Sequence, residues 1–353
     1  MTVAAAREEK VIMNIIILSG GSGKRLWPLT NEQRSKQFIR CLKREDGERE
    51  SMLQRVYRQI REIYPEERIT IAANRAQTDV IKEQIGDAVD ISAEPCGRDT
   101  FAAIALAAAY LHDERGVGRD EVAVVCPSDF YGDPTFFLLL DNLENEVRSG
   151  RCDLALIGKN PETVNTEYGY ILPAGSEAIS DVRAFVEKPD GSRAKEIIGR
   201  GALWNCGVFA FRIGFVLDKM QEIAGHSAYS EIIGGFEALP KISFDNAVVE
   251  KLFEGNDGRN RIRVVRYAGA WRDIGTWGAF TEIMDEPVQG NVVVSEDCEN
   301  VSVINELDLP VMVLGVENIV VTATEEGILV AMKDKSDNIK EYKRKLLLER
   351  DKL

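Results

Sequence analysis

VIMNIIILSGGSGKRLWPLT, residues 11–30, is the stretch on which the architecture turns. Its first eight residues form a branched-aliphatic run broken only by Asn14, the pattern of a strand buried on both faces in a parallel sheet. Gly20, Gly21 and Gly23 follow where strand gives way to loop, so the backbone can approach an anion closely and its N–H groups can converge on phosphate oxygens. A glycine-rich turn that only reverses the chain has the same composition. Spacing removes two phosphate motifs. A P-loop needs Gly, four residues, then Gly-Lys-Ser/Thr, but Leu18 stands at the first position and Arg25 at the last. A dinucleotide fingerprint needs glycine three residues after Gly23, where the chain has Leu26.

Outward from this stretch, strand and helix patterns alternate. SMLQRVYRQIREIY (51–64) carries Leu53, Val56, Tyr57, Ile60 and Ile63 at helical spacing, with Ser51 as its cap. RITIAA (68–73), EVAVVC (121–126) and LALIG (154–158) read as strands, and a helix runs from about Asp99 through FAAIALAAAYLHDE. Regular alternation predicts an α/β, Rossmann-like, doubly wound and mostly parallel sheet, with ligands outside the carboxyl ends of its strands. After residue 285 the character changes. NVVVSED, NVSVIN, VMVLG, NIVVTAT and GILVAM are short valine-rich pieces separated by turn residues, closed by the charged helix KSDNIKEYKRKLLLER. The expected organisation is an N-terminal tail over 1–13, a catalytic domain over 14–285 and a small all-β domain with its terminal helix over 286–353.

At 353 residues the chain can bury a deep core. A formal net charge of −14 repels polyanions, which argues against nucleic acid and anionic membrane as partners and makes any phosphate site a local basic patch. Apolar runs stay well below the roughly 18 residues of a membrane span, and MTVAAAREEK lacks the apolar core of a signal peptide. Cys41, Cys96, Cys126, Cys152, Cys206 and Cys298 contain no C-x-x-C pair and read as reduced core residues of a cytoplasmic protein. His112 and His226 lack companions at metal-ligand spacing, which disfavours a zinc site or a histidine triad.

Further segments follow in order: SKQF (35–38), EPCGRDT (94–100), CPSD (126–129), EYGYI (167–171), FVEKP (185–189), ALWNCGVFAF (202–211) and WRDIGTW (271–277). Together with GGSGKRLWPLT, this series resembles the sugar-1-phosphate nucleotidyltransferases, in particular the mannose-1-phosphate guanylyltransferases, over about residues 14–345. The resemblance implies in-line attack of mannose 1-phosphate on the α-phosphorus of GTP, giving GDP-mannose and pyrophosphate. The nucleophile is already anionic, so positioning, cations and metal carry the reaction.

The resemblance also implies roles. Arg25 and Lys36 would contact the triphosphate, with Ser19, Gly20, Gly21 and Gly23 beside it, and Arg25 would steady the leaving pyrophosphate. Asp129 and Asp273 would hold Mg²⁺ through hard oxygen ligands. Glu94, Gly97, Arg98 and Asp99 would surround the nucleoside. Lys188 would neutralise the sugar phosphate, while Glu187, Asn205 and Gly169 complete the sugar pocket. The C-terminal strands resemble a left-handed β-helix-like tail that helps subunits associate, which is compatible with a homodimer.

Three positions depart from the family pattern. Ser35 replaces a proline, Asp99 an asparagine and Phe130 a histidine, which opens the identity of the sugar and, less strongly, of the base. Two alternatives therefore stand: a nucleotidyltransferase for another hexose or heptose 1-phosphate or another nucleoside triphosphate, and a catalytically silent nucleotide-sugar-binding regulatory subunit.

Overall fold

The computed structural model describes residues 12–350 except 22, 32–33 and 255–260. The N-terminal tail expected over 1–13 lies, through residue 11, outside the described residues. Nine strands make the main sheet: β1 (Asn14–Leu18), β2 (Arg68–Asn74), β3 (Asp90–Glu94), β4 (Val122–Pro127), β5 (Leu154–Lys159), β6 (Tyr170–Pro173), β7 (Ile179–Val186), β8 (Leu203–Arg212) and β9 (Ile262–Tyr267). They lie in the order β3-β2-β1-β4-β8-β5-β9-β7-β6. Only β7 and β8 run against the others. The short link from β6 to β7 can make only a hairpin, hence one reversal.

Period-two geometry explains the aliphatic run in β1. Ile15 and Ile17 enter the core on one side of the sheet and Ile16 the core on the other, all three fully buried. Helix α1 (Met52–Ile63) covers the first side through Leu53, Val56 and Ile60. Ser51 caps it in a reciprocal box: its Oγ accepts from Gln54 N at 3.2 Å, and Gln54 Oε1 accepts from Ser51 N at 3.0 Å. Helix α2 (Asp99–Arg115) lies on the opposite side, buried nearly all round between the sheet and helix α3 (Ile213–Ala224). That sandwich is why its sequence is alanine-rich rather than amphipathic.

Past α4 (Trp277–Glu282) the strands are short: β10 (Val288–Gln289), β11 (Val292–Val294), β12 (Ser302–Asn305), β13 (Val311–Val313), β14 (Ile319–Thr324) and β15 (Gly327–Met332). β10, β12 and β14 stack in parallel, as do β11 and β13, so successive turns of chain pile up in the β-helix-like manner. β15 folds back on β14, and α5 (Ile339–Arg350) follows. A third core joins this segment to the glycine loop: Leu26, Trp27 and Leu29 pack with Trp277, Phe280, Val320 and Ile339. Thr324 Oγ1 donates to Pro28 O at 3.2 Å, and Trp277 Nε1 to Trp27 O at 3.3 Å. The loop is thereby fastened from behind.

Among the described residues, no helix is long and apolar enough to cross a membrane. All six cysteines are free, but Cys96 and Cys298 are only half-buried, unlike the core positions expected for the set.

Candidate active site

A cavity along the carboxyl ends of β1 to β4 and a second beside it share a wall formed by Pro127, Asp129, Gly207 and Asp245. The first, about 290 Å³, is lined by Gly20, Gly21, Glu94, Gly97, Asp99 and Thr100. The second, about 170 Å³, is lined by Tyr168, Gly169, Glu187, Asn205, Trp271 and Asp273. Of the residues singled out in the sequence, Gly20, Gly21, Glu94, Gly97 and Asp99 line the first cavity, Gly169, Glu187, Asn205 and Asp273 the second, and Asp129 both.

Asp129 and Asp273 are remote in sequence, and a small antiparallel ladder joins them. Phe130–Gly132 pairs with Trp271–Asp273, with Phe130 opposite Asp273. Both carboxylates face the Lys36 ammonium, Nζ lying 2.9 Å from Asp129 Oδ2 and 3.6 Å from Asp273 Oδ1. Lys36 Nζ also donates to Ile274 O at 2.9 Å. Burial opposes the charge on Lys36, but Asp129 and Asp273 outweigh it and hold its pKa above the ordinary lysine value. The ammonium occupies a point where two hard oxygen donors converge, so this donor set fits a divalent cation. Lys36, expected beside the triphosphate, lies buried with its ammonium between the two carboxylates and lines neither cavity.

The glycine loop is shaped by its neighbours. Gln37 Nε2 donates to Ser19 O at 2.5 Å and to Gly21 O at 3.3 Å. Gly23 has φ +55°, and a Cβ there would stand 2.7 Å from Lys36 N, so a side chain would meet both strain and backbone. Ser19 is buried beneath the loop and lines neither cavity, and Gly23 supports the Lys36 turn instead of facing the space. Arg25 is half-exposed and forms an ion pair with Glu167, Nη2 to Oε2 at 3.1 Å.

In the first cavity, Glu94 is 5 % exposed and its Oε2 has no hydrogen-bond partner in the structure. Burial, then the neighbouring Asp99, pushes its carboxyl up to about 7. Arg98 departs from expectation, because its guanidinium turns away to donate to the Glu237 carbonyl and does not line the cavity.

The second cavity depends on a bulge in β8. Its register against β5 shifts between Asn205 and Phe209, around Gly207 at φ +69°. Asn205 thereby faces the second cavity while Phe209 lines the first. Asn205 Nδ2 donates to Asp245 Oδ1 at 2.7 Å, and Asn205 N donates to Gly169 O at 2.8 Å. A Cβ on Gly169 would stand 2.6 Å from Glu187 Oε2, so glycine permits this close approach. Lys188 Nζ pairs with Glu187 Oε1 at 2.7 Å, but Lys188 is exposed and lines neither cavity. Phe130 lines the second cavity and packs against Phe136 and Phe137 with centroids at 5.0 and 5.9 Å.

Sequence reading passed over three residues. Glu167 stands inside a quoted motif, Gln37 beside Lys36. Asp245 carried one faint signal, an acid beside the apolar residues Phe244, Ala247, Val248 and Val249.

The Nucleotidyl transferase family matches residues 14–289 of the chain. The alginate biosynthesis protein AlgA of Pseudomonas putida is 32 % identical, over 92 % of this chain and 70 % of its own. The mannose-1-phosphate guanylyltransferase RfbM of Salmonella typhimurium is 28 % identical over the same shares. A solved mannose-1-phosphate geranyltransferase from Thermus thermophilus superposes with a TM-score of 0.76 at 30 % identity, covering 95 % of this chain and 99 % of that one.

Proposed function

The chain belongs to the nucleotidyl transferase family, a family of enzymes, and on that premise we propose that it transfers GMP from GTP to mannose 1-phosphate, giving GDP-mannose and pyrophosphate. The observation that carries this reading is the pair Asp129 and Asp273, converging on one cation position beside the wall that two cavities share. A nucleoside in the first cavity and a sugar in the second would bring their phosphates together at that wall.

The proposed roles follow from charge and reach. Amides of Gly20 and Gly21 cradle the triphosphate, and Arg25 exchanges Glu167 for the leaving pyrophosphate. Lys188 meets the incoming sugar phosphate, and Glu187 and Asn205 hold sugar hydroxyls. Asp129 and Asp273 would hold Mg²⁺, which supplies neutralisation of charge on the α-phosphate when bound. Lys36 keeps the two carboxylates together and neutralises them. Glu94 supports guanine: its unpartnered carboxylate oxygen calls for donors, and guanine offers adjacent N–H groups at N1 and N2, whereas the adenine edge presents an acceptor at N1. Exposed Ile328, Val330 and Met332 on β15 support self-association through the C-terminal strands. The domain limits 14–285 and 286–353 and a cytoplasmic location complete the proposal.

The deciding measurement is pyrophosphate release with Mg²⁺, mannose 1-phosphate and each of GTP, ATP, UTP, CTP and dTTP, repeated with GTP and other sugar 1-phosphates. Release confined to GTP with mannose 1-phosphate is expected. Release with another pair would overturn the substrates and keep the chemistry, while silence from folded protein would favour a regulatory subunit.

A further inference from the structure

We infer that Asp245 is a specificity-determining residue: its carboxylate accepts a hydrogen bond from one ring hydroxyl of the sugar 1-phosphate and, with Glu187, repels the phosphate end, so that the sugar enters in one orientation. This rests on the reading of the second cavity as the sugar site.

Four observations meet at this residue. Asp245 lines both cavities from their shared wall. It begins a π-helical turn, Asp245–Val249, a rare conformation that recurs at functional sites. One carboxylate oxygen is fixed by Asn205 Nδ2 at 2.7 Å, which sets the direction of the other. The segment is anchored at both ends to cavity residues: Phe244 N donates to Thr100 Oγ1 at 2.8 Å, and Glu187 N donates to Glu250 Oε1 at 3.2 Å. Asp245 is therefore held in place by the nucleoside side and the sugar side together.

Its chemistry selects a neutral polyol. Burial, then the Glu187 charge, pushes the Asp245 carboxyl up to about 7 against the opposing Asn205 hydrogen bond and the Lys188 charge. No cation shares an ion pair with it among the described residues, whereas Glu187 has Lys188 and Asp129 has Lys36. A sugar hydroxyl donates the hydrogen bond that such an acid needs. A phosphate placed there would face two acids and would be driven toward Arg25 and Lys188.

The test uses mannose 1-phosphate and its monodeoxy analogues, each lacking one ring hydroxyl, with wild type, Asp245→Ala and Asp245→Asn. A hydrogen bond to a charged acceptor predicts that wild type loses about 10- to 100-fold in kcat/KM for one analogue because of Asp245. In Asp245→Ala that position-specific penalty should collapse toward unity, while KM for mannose 1-phosphate rises about tenfold or more and KM for GTP moves little. Asp245→Asn keeps shape and an acceptor, so it should fall between, and it carries the test if the alanine variant does not fold. Equal deoxy penalties in wild type and variants, or parallel rises in both KM values, would overturn the inference. If wild type does not use mannose 1-phosphate, the substrate reading fails separately. Calorimetric binding of the accepted sugar 1-phosphate and its deoxy analogues then decides the role of Asp245 without turnover.

Discussion

Replacing Lys36 by Met removes the ammonium from between Asp129 and Asp273 and keeps most of the side-chain volume. Breaking one side of a fully buried ion pair costs about 3–5 kcal/mol, because the remaining charge is left without compensation. Here the carboxylates retain 34 % and 38 % side-chain exposure, so water screens part of the repulsion and about 2–3 kcal/mol is expected. Unfolding entropy scales with length, to about 0.7 kcal/mol/K for 353 residues, which converts the loss to a fall in Tm of roughly 3–4 °C. The informative arm is Mg²⁺. At about 100 times its Kd a cation binding only the folded state returns about 2.7 kcal/mol, enough to restore the variant. Wild type should gain less, since its ammonium already neutralises the pair. Scanning calorimetry of both proteins with and without Mg²⁺ reads all four values. A variant melting at the wild-type temperature, or equal Mg²⁺ shifts in the two proteins, would refute the idea that lysine and metal neutralise the same pair of carboxylates.

Asp273→Asn, with one metal ligand weakened, should lose about 100-fold or more in kcat with Tm little changed, read by pyrophosphate release. Arg25→Ala should cost roughly 100- to 1,000-fold in kcat if it steadies the leaving group, and a change confined to KM would remove that role. Glu94, facing Asp99, has its carboxyl raised from 4.5 to about 7, so the folded state binds an extra proton between those values. Stability should therefore fall as pH rises from about 4.5 to about 7, by on the order of 3 kcal/mol, and Glu94→Gln should flatten that part of the curve in urea titrations. Gly23→Ala forces a left-handed backbone onto alanine and drives its Cβ toward Lys36 N, so Tm should fall with about 1–3 kcal/mol of lost stability, and an unchanged Tm would mean the loop relaxes freely.

Much of the frame was legible where local pattern and global fold agree. The aliphatic runs at β1, β2, β4 and β5, the Ser51 cap and the alanine-rich α2 each state their burial in their own residues. The valine pieces after residue 285 announce short strands in the same way. What local pattern leaves open is pairing between distant segments. Nothing near Asp129 says that Trp271–Asp273 will form a ladder beside it, and nothing in SKQF says that Lys36 will bury its ammonium between two acids. Arg98 could not be placed from sequence because a guanidinium on a loop can reach several carbonyls, here that of Glu237. Asp245 stayed hidden because a single π-helical turn leaves no spacing signature. Of the site residues, those on or next to strand ends were easiest to place, since the sheet dictates where they point. Those on flexible stems were hardest.

The bulge in β8 acts as a ruler. Asn205, Gly207 and Phe209 mark the second cavity, the shared wall and the first cavity within five residues of one strand, paired to β4 on one edge and β5 on the other. The separation of the two cavities is thereby written in covalent bond lengths rather than left to the hinging of two lobes. An insertion of one residue between Asn205 and Phe209 would spoil alignment for every pair of substrates at once, whereas changes around either cavity would retune one partner and leave the spacing intact.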